Sequence, residues 1–532
     1  MLGAAAASSA GCRRFRPVPG RIVGASAEVG HRVRTLPSLG EPTRTERVPV
    51  VVLGAGPSGL SAAWRLSRLG APRTVVLDLE PEMGGTSRFG RDGVVPYPWG
   101  AHYLPVPRRD NVGLVTLLRE LSAIVGEDDR GDMIPAEEMV VREPEERVFH
   151  RGAWHEGLWP KDGETELDRR DRAAFLVEVG RLSAVRDGRG RRAFELPMER
   201  GSDDPEVTAL DRLTMSDWLR DKGLASPRLR WLIDYACRDD YGLRVEDTSA
   251  WAGLFYWVSR VSGPGREAAP LLAWPNGNGR LVEHLAASAK PDLRLGHVVM
   301  DVATLGDHAE VTALDVTTQT TIRFVADRVI FALPKFLAPY VLRAVRDEKP
   351  SWPAAFRYGA WMVANVHLDG HPRSDGAALA WDNVLYDSPS LGYVVATHQH
   401  HVDEGPTVLT YYFPYTDEKP EEGRRRLFAA DHGQLVDLVL ADLAPAHHGL
   451  SSQIQRVDVM RWGHAMAQPR PGFVWGAERR QASRPIGRVH MAHADLSGLA
   501  LFEEAFFHGV RAAEEAFAAL YPDRPMTRLG AT

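Results

Sequence analysis

Residues 48–59, VPVVVLGAGPSG, constrain this chain more than any other stretch. Val50 to Leu53 is a short β-branched apolar run, the pattern of a buried strand, and Leu60 to Leu69 alternates apolar and polar residues at helical spacing. The turn between them is Gly54-Ala55-Gly56-Pro57-Ser58-Gly59. Its glycines meet three needs: Gly54 turns the chain off the strand, Gly56 lets a pyrophosphate approach the backbone, and Gly59 lets the helix lie close to the sheet. Unpaired amides and the dipole at the helix start favour phosphate there. Thr74 to Leu77 reads as a second strand, and Asp78 stands nineteen positions past Gly59, where a carboxylate accepts bonds from ribose hydroxyls. Strand, turn, helix, strand and acid agree on a dinucleotide-binding βαβ unit.

At 532 residues the chain exceeds one ordinary domain. A net charge of −6 with interspersed signs excludes a nucleic-acid groove. No apolar run is long enough to cross a bilayer, which leaves room only for peripheral membrane contact. The two cysteines, Cys12 and Cys237, make neither a disulfide framework nor a zinc motif. His398, His400 and His401 lack a carboxylate or cysteine spaced to complete a metal site, so no metal is expected. Gly126 to Asp132 lacks the spacing of a calcium loop and reads as a solvated turn. Residues 1–12 are Ala-rich, weakly apolar and end in small residues, as in the back half of an export signal; a bacterial exported (periplasmic) protein is expected, against a disordered cytoplasmic tail.

A second glycine turn, Gly84-Gly85-Thr86-Ser87, follows Asp78. With the first motif it resembles the flavoprotein superfamily of flavin-containing amine oxidases, protoporphyrinogen oxidases and phytoene desaturases. The resemblance implies a Rossmann-type α/β FAD-binding domain with an inserted α+β substrate domain, and FAD held non-covalently, since the usual cysteine near the closing motif is missing. It implies that Gly54, Ala55, Gly56, Pro57, Ser58 and Gly59 cradle the cofactor, that Asp78 binds the adenosine ribose, and that Gly85, Thr86 and Ser87 lie beside the diphosphate and ribityl chain. Many members have arginine where Thr86 stands, so a phosphate contact must come from elsewhere. Gly100 and Ala101 match a segment that passes under the isoalloxazine ring, and His102 either faces that ring or caps the turn. Val299 matches the residue whose backbone meets the adenine. Asp495 matches an acid on the ribityl or diphosphate part, and the amides of Phe502 to Ala505 would open a helix aimed at the flavin N1/C2-oxygen edge. Glu503 and Glu504 then either complement the dipole or belong to that site.

These pieces imply a discontinuous FAD domain (47–107, 271–335 and 456–522) around a substrate domain (108–270 and 336–455), with 1–46 a signal-like segment and flexible linker and 523–532 a tail. Within the substrate domain, Arg238-Asp239-Asp240-Tyr241-Gly242 and the aromatics Trp251, Phe255, Tyr256 and Trp257 read as a helix end and a buried helix, or as walls of a substrate cavity. Amine oxidases commonly carry a lysine in the strand matched by Tyr358 to Leu368, and alignment puts Asn365 there; an aromatic cage position falls on Leu501. Those departures shift the expectation toward the protoporphyrinogen oxidase and desaturase side: an oxidoreductase taking hydride from a carbon of an apolar or mixed small molecule. The alternatives are an amine oxidase proper, a non-catalytic binding protein like the guanine-nucleotide dissociation inhibitors, or an NAD(P)H-dependent flavin reductase, which would need a second GxGxxG after a strand. No catalytic acid or base is assigned.

Overall fold

The computed structural model describes residues 17–34, 41–400 and 403–530. The signal-like segment, Cys12 and His401 lie outside them.

Two sheets organise the molecule. In the first, Asp292–Arg294, Thr74–Leu77, Arg44–Leu53, Thr320–Phe331 and Val489–Met491 run parallel in that order. Thr320–Phe331 also turns back through His308–Asp315 to His297–Leu305 as an antiparallel meander. Parallel strands are covered on both faces. Accordingly Val50 to Leu53 and Val75 to Leu77 are fully buried. The glycine helix Pro57–Arg68 begins at Gly56 with proline at its first position, where the missing N–H costs nothing. A Cβ on Gly59 would lie 1.8 Å from the Gly54 carbonyl oxygen, which is why only glycine permits this helix–strand spacing. The closing helix Phe502–Leu520 packs on it equally closely, since a Cβ on Gly509 would meet the Ser58 oxygen at 2.2 Å. A buried ion pair, Arg65–Glu514 at 2.8 Å, ties the two helices. Between them Trp64 is wholly buried against Phe506; truncating it to alanine costs about 3–5 kcal/mol.

The second sheet has eight strands, in the order Ile22–Gly24, Ile454–Ala467, Tyr358–Leu368, Thr407–Pro414, Gly392–Val395, Asp382–Leu385, Glu146–His150 and Ala153–Glu156. Tyr358–Leu368 is buried along its whole length because both faces are covered. Ala360, Met362, Ala364 and Val366 pack toward helix His432–Leu443, while Trp361 and Val363 face the other way, toward Tyr97 and Trp99. Helices Glu166–Ala184, Pro227–Tyr241 and Ala250–Val258 form a third apolar cluster beside this sheet.

Three boundaries differ from the sequence reading. The expected linker contains an edge strand, Ile22–Gly24, paired with Ile454–Ala467, and Arg44–Arg47 already belongs to the first strand of the nucleotide sheet. A β-branched pair beside a long open strand edge gains backbone partners that a solvated linker would forgo. Residues 456–467 lie in the second sheet rather than the nucleotide one. Conversely, helices Ala338–Val341 and Arg343–Glu348 pack against His297–Leu305 of the nucleotide sheet, because Val341, Leu342 and Val345 join its core.

Candidate functional site

Where the two sheets face each other, a cavity of about 350 Å³ runs from the glycine turn to the end of helix Pro227–Tyr241. Gly54, Gly56, Pro57, Ser58, Asp78, Gly85, Thr86 and Ser87 form one end. Gly54 adopts φ +101, and Gly85 faces Gly56 so closely that a Cβ on it would sit 3.2 Å from the Gly56 Cα. Two glycine turns thus form a bare-backbone cradle at a helix N-terminus, the arrangement that holds a pyrophosphate. Asp78 accepts bonds from the amides of Ala55 (2.6 Å) and Glu80 (2.8 Å). Burial raises its pKa to about 6, and each oxygen keeps a free lone pair for a hydroxyl donor.

Three residues that line the cavity carry a buried polar atom with no partner among the described residues: Ser87 Oγ, Asn278 Oδ1 and Trp361 Nε1, the last turned toward Gly242. The bare-backbone cradle and the free lone pairs of Asp78 fit FAD. Among the described residues no arginine lines the nucleotide end, and Arg260 stands at the other. Arg88 is turned away into a pair with Glu80. Phosphate charge at the cradle is therefore met by amides and the helix dipole.

Gly100, Ala101 and His102 line the middle of the cavity. A Cβ on Gly100 would lie 2.3 Å from the Thr86 oxygen, and the Ala101 amide donates to that same oxygen. The Tyr412 hydroxyl donates to the Gly100 carbonyl at 2.8 Å, and the Trp462 indole to the Trp99 carbonyl at 2.7 Å, so the second sheet clamps this segment. His102 stacks on Tyr412, and burial lowers its pKa to about 4, leaving it neutral. Asp495, Phe502 and Ala505 also reach the wall. The Asp495 carboxylate, however, accepts from the Tyr358 hydroxyl (2.5 Å) and the Lys335 amide (2.8 Å). It orders the loop around the cofactor and stays anionic, its pKa near 2 despite burial because His493 and Lys335 lie beside it.

Some expected residues stand elsewhere. Ala55 and Gly59 lie behind the cradle, and Gly59 serves packing alone. Val299 is buried in the nucleotide sheet's core, two residues past His297, whose amide donates to the Asp78 carbonyl; it is not on the cavity wall. Asn365 is fully buried and spent on the Pro98 carbonyl and Thr410, whereas Trp361 and Val363 of the same strand face reach the cavity. Strand alternation puts all three on one face, and the closer approach of Pro98 takes Asn365 out of reach.

The far end of the cavity is the part that the sequence left open. Asp239, Asp240, Phe255, Arg260, Trp361, Tyr412 and Glu503 meet there. Arg260 bonds both oxygens of Asp240 at 3.1 Å and the Tyr103 hydroxyl at 3.2 Å, and lies 3.9 Å over the Tyr256 ring. Asp240 is thereby neutralised. Asp239 is not: among the described residues it accepts from the Tyr103 hydroxyl at 3.4 Å and forms no ion pair. Burial, then the Asp240 charge, raises its pKa to about 7. Burial likewise raises Glu503 to about 7, so this glutamate is a wall residue as well as a helix-terminal acid. Adjacent acids at a helix end, followed by a lone arginine after an aromatic helix, were the only sequence signal of this cluster.

Comparison with known proteins agrees with the geometry. The model of the family described as "Flavin containing amine oxidoreductase" matches residues 57–516. A flavin-dependent L-tryptophan oxidase, RebO, from Lentzea aerocolonigenes is 24% identical over 486 residues, covering 83% of this chain and 92% of the relative. Among solved structures, putrescine oxidase bound to putrescine superposes with a TM-score of 0.65 at 16% identity, covering 89% of this chain and 100% of the other. Cyclohexylamine oxidase from Brevibacterium oxydans gives 0.63 at 15% identity, covering 90% and 100%.

Proposed function

The chain belongs to the family of flavin-containing amine oxidoreductases and is a FAD-dependent oxidoreductase, and from that premise we propose that its substrate is a small amine with an apolar body, oxidised at the carbon that bears the nitrogen. One observation carries this reading: the half-buried Asp239 carboxylate forms no ion pair among the described residues and shares the cavity wall with Phe255, Trp361, Val363 and Tyr412, while the neighbouring Arg260 is engaged by Asp240. A buried unpaired carboxylate is costly unless something positive meets it, and an ammonium does so. The aromatic wall takes the apolar remainder and excludes water. This reading narrows the expected apolar or mixed substrate to a mixed one with a cationic head.

FAD supplies the acceptor for the hydride and the onward path for its electrons. The protein's own groups do the rest. Asp239 holds the ammonium and, with a pKa of about 7, is placed to take a proton from it, since a nitrogen lone pair must be free to stabilise the carbon that loses hydride. Arg260 keeps Asp240 from competing for the same cation. Tyr412 and Trp462 hold the Trp99–Gly100 segment against the cavity.

The test is spectral. Purified protein should show flavin bands and release FAD on denaturation. Anaerobic addition of benzylamine, cyclohexylamine, putrescine or L-tryptophan should bleach it, while benzyl alcohol and cyclohexanol should not. A colourless protein that FAD cannot reconstitute would overturn the enzyme reading. Bleaching by uncharged compounds alone would overturn the amine.

A further inference from the structure

His493 stands where a side chain is hard to keep. Its backbone adopts φ +111 and ψ 148, the extended region at positive φ that is essentially glycine's. A Cβ makes such a backbone costly, and outliers of this kind persist where the surroundings force them and gather at ligand sites.

The surroundings here are specific. Strand Val489–Met491 ends beside Thr320–Phe331, and the Ala492 amide still donates to the Phe331 carbonyl. His493 therefore lies just beyond the carboxyl end of a parallel strand, the side of an open α/β sheet on which ligands bind. Its amide donates to the Ser58 hydroxyl at 2.9 Å, and Ser58 is the second residue of the glycine helix. Its ring Nδ1 accepts from the Asp495 amide at 3.2 Å and lies 3.1 Å from the Asp495 carboxylate. These contacts hold His493 at the nucleotide end, where it lines the cavity together with Ser58.

The far side of the ring is uncommitted. Nε2 has no hydrogen-bond partner among the described residues, and the side chain is 26% exposed. An Nδ1 that accepts from an amide leaves the ring hydrogen on Nε2, and a second proton would sit on Nδ1 against the Asp495 carboxylate. Nε2 is a donor in both states. The other cationic groups nearby are spent: Arg88 on Glu80, and the Lys335 ammonium on the Leu333 and Ala492 carbonyls behind the wall. Of the cavity's other imidazoles, burial keeps His102 and His464 neutral, with pKa values of about 4 and about 3.

We propose that His493 is a cofactor-binding residue whose Nε2–H donates to the diphosphate of FAD, adding a side-chain contact to the amides of the cradle. A helix N-terminus supplies about half an elementary charge, less than a diphosphate carries, and a donor to an anionic oxygen makes a charge-assisted bond. A side chain kept on a glycine-like backbone then has a reason. The inference rests on FAD as the cofactor and not on the substrate being an amine.

The experiment uses the full-length FAD-loaded protein without substrate. His493→Asn keeps an acceptor for the Asp495 amide, its Oδ1 taking the place of Nδ1, but has no distal donor. His493→Gln carries an amide N–H to the distal position. His493→Gly suits the backbone best and removes the ring, so its behaviour cannot be laid to strain. FAD release, read as the rise in flavin fluorescence after dilution, should be roughly 10- to 150-fold faster in the Asn and Gly variants, the loss of one charge-assisted bond. The Gln variant should release FAD at a rate closer to the parent's than to that of the Asn variant. In the phosphorus NMR spectrum of the bound cofactor, a diphosphate resonance should shift in the Asn and Gly variants while the visible flavin bands stay in place. Unmoved phosphorus resonances would overturn the proposal whatever the release rate: with fast release the residue would serve the fold alone, and with shifted flavin bands the ring would meet the isoalloxazine instead. The amine screen has no part in either readout, so the two readings fail separately.

Discussion

The two ends of the cavity are made of different material. The nucleotide end is backbone: two glycine turns, a helix N-terminus and amides that also anchor Asp78. The acidic end is side chain: Asp239, Arg260, Trp361 and Tyr412 arrive from one helix, the turn after another and two strands. Backbone sites tolerate almost no change in their glycines but are indifferent to most neighbours. Side-chain sites can be retuned one residue at a time, which is how one scaffold serves relatives that act on tryptophan, putrescine or cyclohexylamine.

The sharpest break in that comparison is Gly59→Ala. With 1.8 Å to the Gly54 oxygen, the added methyl must push the glycine helix off the sheet, at about 3 kcal/mol by the usual cost of overpacking. FAD content and thermal melting should fall together. Retention of full FAD with an unchanged melt would show that the cradle is not set by this contact.

A smaller effect concerns pH. Asp239 is charged above its pKa of about 7 and neutral below it, while an alkylamine stays a cation up to roughly pH 10. The KM for amines should therefore be flat between pH 8 and 9 and rise as pH falls through 7, by about tenfold per unit once the carboxyl is protonated. FAD binding should not follow that curve. If a neutral amine entered an apolar pocket, KM would instead keep falling about tenfold per unit between pH 8 and 9, up to the amine's own pKa near 10.

The smallest effect expected is at Trp361, whose indole N–H is buried without a protein partner. Trp361→Phe removes a donor that the fold does not use, so the melt should move by about 1 kcal/mol or less, with a few-fold change in amine KM. A large loss of stability would show that the indole serves the fold and not the cavity.

The same contrast explains what the sequence made legible. GxGxxG, Asp78 and Gly84-Gly85 work through local backbone geometry, so their spacing is their function, and strand Thr74–Leu77 and helix Phe502–Leu520 fall close to where pattern puts them. Asn365 illustrates the opposite case. Alternation assigns it correctly to the face of Trp361 and Val363, but only tertiary packing reveals that Pro98 reaches it first. Asp239 and Asp240 are visible as adjacent acids, yet nothing in the chain says that Arg260 neutralises one and leaves the other bare. The strand Ile22–Gly24 was hidden for a related reason: three residues have too little pattern to register, and their partner, Val459 with Met460, lies more than four hundred positions away.

The most direct measurement compares Asp239→Asn with the parent protein, both loaded with FAD, in anaerobic reduction by whichever amine of the panel bleaches the parent fastest. Losing a charge-assisted contact of about 1.5–3 kcal/mol lowers the rate constant per unit concentration by roughly 10- to 150-fold. The flavin spectrum and FAD content should stay unchanged, and the rise of KM below pH 7 should vanish. Equal reduction of the two proteins would contradict the account, placing the ammonium elsewhere in the cavity.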